Sequence, residues 1–268
     1  MNAEAIAGGT YRFVNLGCPK NLVDAEHVAS LLESGGWREA SSDEEASLVV
    51  LTTCAFIAAA REESVDEIVR VIAERRRGQR IAVLGCLVTR EGAETLRRLL
   101  PEVEVFCDVA EMKELPARLS GAAAPPRARS RPAASGCPGG SIGRKLFTPG
   151  HLAYLKISDG CSNGCTYCTI PGIRGTLASR TRDDIVAEAA GLAAMGVREL
   201  DIVAQDTTAW GFDRRGAERV YDLIEAIADL GRFDWIRLLY SHPAHIDPKR
   251  IAALMRQGAL VPYVDMPI

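Results

Sequence analysis

The chain has 268 residues, of which 47% are hydrophobic and 25% charged, and its formal net charge is -3. This is ordinary globular composition with enough apolar content for sizeable cores, and at ~150 residues per domain it suggests two domains. The charge balance excludes a chain-wide nucleic-acid footprint, no run reaches the ~18 apolar residues of a membrane span, and the opening MNAEAIAGGTYRF lacks the basic start and apolar core of a secretory signal. Eight cysteines without such a signal point to metal or redox chemistry in a reducing cytoplasm rather than to a disulfide framework.

In chain order, YRFVNL is a short apolar run. NLVDAEHVASLLESGG follows it, with Leu22, Ala25, Ala29 and Leu32 at helical spacing and Gly35–Gly36 as a stop. SLVVLTT predicts a second strand, Ala58 to Arg77 a helix, RIAVLG a third strand, Glu91 to Leu100 a helix, and EVEVF a fourth strand. Alternating strand and helix predict a Rossmann-like parallel sheet covered on both faces. The Ala-, Pro-, Gly- and Arg-rich segment Gly121 to Gly140 has no apolar periodicity and reads as a linker. The expected division is therefore an N-terminal domain over 1–118, a linker over 119–146 and a second domain over 147–268.

The second domain repeats the grammar. LAYLKIS, ELDIVA, WIRLLY and VPYVDM predict strands, with helices near 183–195, 217–230 and 248–257. Four strands with no helix after the last describe a partial (β/α) barrel, since a complete eight-unit barrel takes ~250 residues.

Three cysteines, Cys161, Cys165 and Cys168, follow LAYLKIS within DGCSNGCTYC. A closed zinc site takes four ligands, usually as paired C-x-x-C knuckles, and only one such pair is present. A 4Fe–4S cubane also normally takes four thiolates, so three would leave one iron open to a small molecule. The loop after a barrel strand is where β/α active sites assemble, and Gly160 and Gly164 allow a tight wrap. A second set is spread out in sequence. Cys18, Cys54 and Cys86 each lie just past a predicted parallel strand, in YRFVNLGC, SLVVLTTC and RIAVLGC. Strand ends share one edge of a parallel sheet, so these thiols can meet and hold a second cluster; three inert buried cysteines are the other reading.

The C-x-x-x-C-x-x-C triplet, with Tyr167 before its last cysteine, resembles the radical S-adenosylmethionine superfamily. LGCPKNLVDAEHVASLLE, TTCAFI, LGCLVTR, KISDGCSNGCTYCTIPGIRGTLASR and VAQDTTAWG together resemble the methylthiotransferases of that superfamily over nearly the whole chain. GCPKN and DGC are most similar to the branch that modifies ribosomal small-subunit protein twelve; transfer-RNA branches tend to GCQMN. The resemblance implies a 4Fe–4S cluster on Cys161, Cys165 and Cys168 whose open iron chelates S-adenosylmethionine, and a second 4Fe–4S cluster on Cys18, Cys54 and Cys86 that supplies or carries the inserted sulfur. It implies a 5′-deoxyadenosyl radical acting on the β-carbon of an aspartate, with 3-methylthioaspartate as product. It further implies a protein substrate, an electron donor such as flavodoxin or ferredoxin, a cytoplasmic and monomeric full-length enzyme, and cofactor contacts from Tyr167, Gln205, Asp206 and Arg180. A transfer-RNA adenosine methylthiotransferase and a non-catalytic iron–sulfur protein are the rival readings. Family members continue through more of the barrel into a TRAM domain, which this sequence lacks.

The remaining candidates have plainer readings. Cys107 reads as a core residue and Cys137 as a surface thiol in the linker. His242 and His245 in HPAH lie near the expected site edge, but Pro243 breaks any helical face, so no metal is expected there. The run ERRRGQR reads as a solvated helix C-terminus, whose dipole suits positive charge.

Overall fold

The computed structural model describes residues 8–121, 143–216 and 218–266, in two compact units. Cys137 and nearly all of the predicted linker lie outside the described residues.

The first unit is α/β. In chain order it runs β1 (Thr10–Asn15), α1 (Pro19–Ser34), β2 (Arg38–Glu39), β3 (Leu48–Thr53), α2 (Ala58–Glu74), β4 (Arg80–Gly85), α3 (Cys86–Glu91), α4 (Ala93–Leu99), β5 (Val105–Cys107) and α5 (Leu115–Leu119). The five strands pair in parallel in the order β2-β1-β3-β4-β5. β3 is central and buried along its whole length, as its unbroken apolar run requires of a strand covered on both faces. This is a doubly wound order whose connectivity reverses between β1 and β3. Ligands of such sheets bind in the crevice outside the strands' carboxyl ends at that reversal.

Two expectations change here. The helix predicted from Glu91 to Leu100 is two helices, one beginning at Cys86, because Gly92 at φ +85° breaks the run. The basic run starts where α2 has already ended at Glu74; Arg75 is extended and its guanidinium donates to the Glu102 carbonyl at 3.2 Å. Residues 143–145 pack with this unit. Arg144 makes a buried ion pair with Glu26 of α1, and Lys145 reaches Glu33 at 3.2 Å and Glu39 at 3.3 Å.

The second unit begins at Leu146 and is also α/β. It runs β6 (Leu152–Lys156), β7 (Ser158–Asp159), α6 (Ile170–Arg174), β8 (Ala178–Ser179), α7 (Arg182–Ala194), β9 (Glu199–Val203), α8 (Val220–Ala228), β10 (Trp235–Leu238) and α9 (Pro248–Arg256). β10, β9 and β6 pair in parallel in that order, and β7 pairs antiparallel with β8. Leu155, Leu200, Ile202 and Leu238 face a core completed by Ile185 and Leu192 of α7, Ile224 and Ile227 of α8, and Leu254 of α9. VPYVDM is not a strand. Val261 N–H donates to the Ile236 carbonyl at 3.0 Å, but Tyr263 N–H turns back to the Val261 carbonyl at 2.7 Å, so no ladder can continue. No helix among the described residues is long and apolar enough to cross a membrane.

The alternate residues of this sheet are polar. Arg237 pairs with Glu199 and lies 3.8 Å from Asp201, its register partner on β9. Asp201 Oδ1 is buried without a hydrogen bond. Burial, then the neighbouring Glu199, push the Asp201 carboxyl up to about 6, against the pull of Arg237. Between the ordinary aspartate value of about 3.9 and about 6, the folded chain therefore holds more protons than the unfolded one, so stability falls as pH rises. Asp201→Asn should remove that fall. In urea unfolding the variant should gain about 1–2 kcal/mol on the wild type between pH 4 and pH 7, the value reduced for solvent screening. A difference that stays constant across this range would show that Asp201 titrates normally.

Candidate active site

In the first unit, three cysteines follow the carboxyl ends of β1, β3 and β4. Cys18 is the N-cap of α1, Cys54 follows β3, and Cys86 opens α3 directly after β4. Cys18 and Cys54 therefore flank the β1/β3 reversal, where a doubly wound sheet binds its ligand. Asn21, in the first turn of α1, links Cys18, the residue before Cys54, and Cys86. Its backbone N–H donates to the Cys18 carbonyl at 2.9 Å, its side-chain amide donates to the Thr53 carbonyl at 2.9 Å, and its Oδ1 accepts from the Cys86 thiol at 3.6 Å. Ser64 of α2 holds Cys54 on both sides, accepting from its N–H at 3.0 Å and donating to its carbonyl at 2.9 Å. Gly17 sits at φ +105°, and a Cβ there would meet Asn21 Nδ2 at 2.8 Å and the Cys54 Cβ at 3.1 Å. The approach of Cys54 to the Cys18 turn thus depends on glycine. Cys86 is buried, and Cys18 and Cys54 are half-buried.

In the second unit, Cys161 follows β7, and Cys165 and Cys168 complete the loop before α6. All three are half-buried. Gly160 sits at φ +71° with the Thr176 carbonyl 2.3 Å from where a Cβ would be, so no other residue fits. The loop is anchored by Asp159. Its carboxylate accepts from Lys156 Nζ at 3.0 Å, from Arg174 Nη1 at 3.1 and 3.2 Å, from the Gly160 N–H at 3.1 Å and from Gln205 Nε2 at 3.1 Å. Burial alone would push its carboxyl up; the Arg174 and Lys156 charges outweigh burial and hold it well below the usual carboxylate range. Asp159 is therefore an acceptor only, which fixes the Gln205 amide with nitrogen toward Asp159. Gln205 Oε1 is left buried without a hydrogen bond. It is an acceptor prepared for a donor.

The other predicted contacts lie differently. Asp206 is buried, and its carboxylate is engaged at four points by Thr208, Ala209, Asn163 and His245. Arg180 is buried as well, donating to the Lys156 carbonyl at 2.7 Å and pairing with Glu188 at 2.6 Å. It braces α7 against β6, where the sequence admitted a cofactor contact or a solvated arginine. Tyr167 is 85% exposed. Cys107 is buried at the end of β5, where burial pushes its thiol up to about 12 and makes it inert. The histidines are not separated by Pro243. A turn, with His245 N–H on the His242 carbonyl at 3.0 Å, brings both to Asp206.

Among the described residues, the group of three possible ligands drawn within 4.8 Å of one another is Asp206, His242 and His245; neither cysteine triplet is.

Residues 10–108 match the uncharacterized protein family UPF0004, and residues 155–268 match the radical SAM superfamily. A protein of Syntrophus aciditrophicus (strain SB), ribosomal protein uS12 methylthiotransferase RimO, is 42% identical over 95% of this chain and 57% of its own length. Its namesake in Moorella thermoacetica is 38% identical over 95% of this chain and 58% of its own. The chain belongs to the radical S-adenosylmethionine methylthiotransferase family. It spans somewhat more than half the length of these relatives. The radical S-adenosylmethionine methyltransferase TsrM from Kitasatospora setae shares the fold, with a TM-score of 0.58 at 14% identity, over 94% of this chain and 58% of its own.

Membership in the superfamily implies a 4Fe–4S cluster and S-adenosylmethionine. The residues of this chain fit both: three thiols on one loop, and the buried carbonyl of Gln205 after β9 as an acceptor for an ammonium. Sequence reasoning named these cysteines and Gln205 but not Asn21, Ser64 and Asn163, which the structure places against them. Asn21 stood in view within GCPKN as a branch signature only.

The Asn21 clamp can be tested directly. Asn21→Ala should cost about 1–3 kcal/mol in urea unfolding, because the buried Thr53 carbonyl loses its donor. A cost below about 0.5 kcal/mol would mean that water replaces the amide and the clamp is dispensable.

Proposed function

We propose that the whole protein to which this chain corresponds inserts a methylthio group at the β-carbon of an aspartate in ribosomal protein uS12. The observation that carries the reading is the pair of three-cysteine groups, each following strands at the carboxyl edge of a parallel sheet, with no fourth cysteine beside either among the described residues. In this proposal Cys161, Cys165 and Cys168 hold one 4Fe–4S cluster, and Cys18, Cys54 and Cys86 hold a second. When bound, the first cluster with S-adenosylmethionine supplies a 5′-deoxyadenosyl radical, and the second supplies the sulfur.

The chain's own part is positioning. Gly160 and Asp159 hold the thiol loop against the sheet, and Lys156 and Arg174 neutralise Asp159. The Gln205 carbonyl accepts from the ammonium of the cofactor's methionine moiety. Asn21, Ser64 and Gly17 hold the other three thiols around one volume. A protein electron carrier of the flavodoxin or ferredoxin class supplies the reducing electron. The names of the relatives and the GCPKN word favour a protein aspartate over a transfer-RNA adenosine as target.

In the full-length protein, Cys165→Ala should abolish both cleavage of S-adenosylmethionine and product formation. Cys54→Ala should keep cleavage and lose methylthiolation. Gln205→Ala should raise the KM for S-adenosylmethionine about tenfold or more, through loss of a hydrogen bond to a charged group worth about 1.5–3 kcal/mol. Chromatography of 5′-deoxyadenosine and mass spectrometry of uS12 and transfer RNA read the outcome. Methylthiolation retained by Cys54→Ala, or a modified transfer RNA with unmodified uS12, would overturn the assignment.

A further inference from the structure

The turn after β10 brings two imidazoles to a buried carboxylate. Asp206, His242 and His245 each offer a ligand atom within 4.8 Å of the other two. Asp206 is buried and both histidines are half-buried, so the group is reachable from solvent.

The carboxylate is held by its own unit. Its Oδ1 accepts from Thr208 Oγ1 at 2.6 Å and from the Ala209 N–H at 3.1 Å, and its Oδ2 accepts from Asn163 Nδ2 at 2.8 Å. The remaining contact of Oδ2 is His245 Nδ1 at 2.7 Å. A carboxylate only accepts, so that contact carries a proton on Nδ1. It is the one contact of Asp206 that a metal ion can take over without stranding a donor, because binding releases the proton. His242 Nδ1 accepts from the Ala244 N–H at 3.2 Å, but this contact is exposed and water can replace the ring.

The turn that delivers the histidines is fixed at several points. Tyr240 sits at φ 59°, held by Asp265 Oδ2 on its N–H at 2.7 Å and by the Thr207 N–H on its carbonyl at 3.1 Å. A non-glycine residue in this conformation persists only where its surroundings over-determine it, and such positions gather at functional sites. His242 N–H donates to Thr208 Oγ1, the same hydroxyl that donates to Asp206. Tyr221 donates to the His245 carbonyl at 3.4 Å. Ligand and outer partner are thus tied together, as they are around metal centres.

We propose that Asp206, His242 and His245 form a binding site for a divalent transition-metal ion of the zinc class. The carboxylate gives Oδ2 and each imidazole gives one nitrogen, and water completes the coordination. Two imidazoles and one carboxylate suit zinc and its neighbours, whereas magnesium and calcium want oxygen ligands. Bonds of about 2.0–2.1 Å in tetrahedral geometry would part Oδ2 and Nδ1 by about 0.6 Å more than the proton does. The ring next to His245, Phe212, stands edge-on to it and is itself exposed, so it can yield. The site uses none of the six clustered cysteines, so it stands or falls apart from the cluster assignment.

The experiment titrates zinc chloride into the 268-residue chain by calorimetry, in a Cys18→Ala/Cys54→Ala/Cys86→Ala/Cys161→Ala/Cys165→Ala/Cys168→Ala background so that no thiol set competes. One zinc per chain should bind with a Kd of about 1 μM or tighter, and magnesium at about a thousandfold excess should not displace it. His242→Ala and His245→Ala should each weaken binding about 100-fold or more, and Asn163→Ala, which removes a partner of the carboxylate only, about tenfold. X-ray absorption should show imidazole ligands. No zinc bound more tightly than about 100 μM overturns the site. Binding that survives both histidine substitutions unchanged places the ion elsewhere and also overturns it. If circular dichroism shows that the background does not fold, zinc content of the wild-type chain decides the matter. His242→Ala, at a half-buried turn position, should then remove one zinc from the total, and equal totals would refute the site.

Discussion

Parallel pairing puts the carboxyl ends of neighbouring strands on one edge, and that constraint organises both units. In the first, β1, β3 and β4 end side by side, and the residue that follows each is a cysteine or leads into one within three positions. Strand register brings the turns that carry Cys18, Cys54 and Cys86, 36 and 32 residues apart in sequence, to the same edge. In the second unit the same edge receives the Cys161 loop from β6 and β7, Gln205 and Asp206 from β9, and His242 and His245 from β10. An open edge of this kind is where loops can carry chemistry while the strands below stay packed.

Holding thiols at such an edge requires polar groups to be buried with them, and the structure satisfies these groups almost completely. Asp159 has two cations, an amide and a backbone N–H around it. Asp206 has four donors, and Asn21 spans two carbonyl or thiol partners contributed by separate strands. A buried carboxylate deprived of one such partner would cost several kcal/mol. The bare Oε1 of Gln205 is oriented by a neighbour, Asp159, that can only accept.

The strands were legible because β3 and β4 each carry an unbroken run of four apolar residues, LVVL and IAVL, bounded by polar or glycine positions. The six cysteines were legible because each follows such a run or shares one tight loop. What escaped was set by partners distant in sequence. Nothing in KNL says that Asn21 will meet Thr53 and Cys86, and nothing in SNG says that Asn163 will meet an aspartate 43 positions later. Arg180 lies in a stretch that matches the family, yet its partners are Glu188 and a strand carbonyl, so a motif match did not convey its job. VPYVDM has strand composition but lies beside β10 with isolated hydrogen bonds, and composition alone cannot report whether a ladder forms.

The central claim is that two separate sets of three thiols each hold a cluster. Iron and sulfide content of the reconstituted chain, with Mössbauer spectra of the wild type and of variants lacking either triplet, tests it most directly. The account predicts about eight irons per chain, as cubane clusters of four, and loss of about half when Cys18, Cys54 and Cys86 or Cys161, Cys165 and Cys168 are replaced by alanine. Iron content unchanged on removal of the first triplet would contradict it, leaving one cluster and three structural thiols.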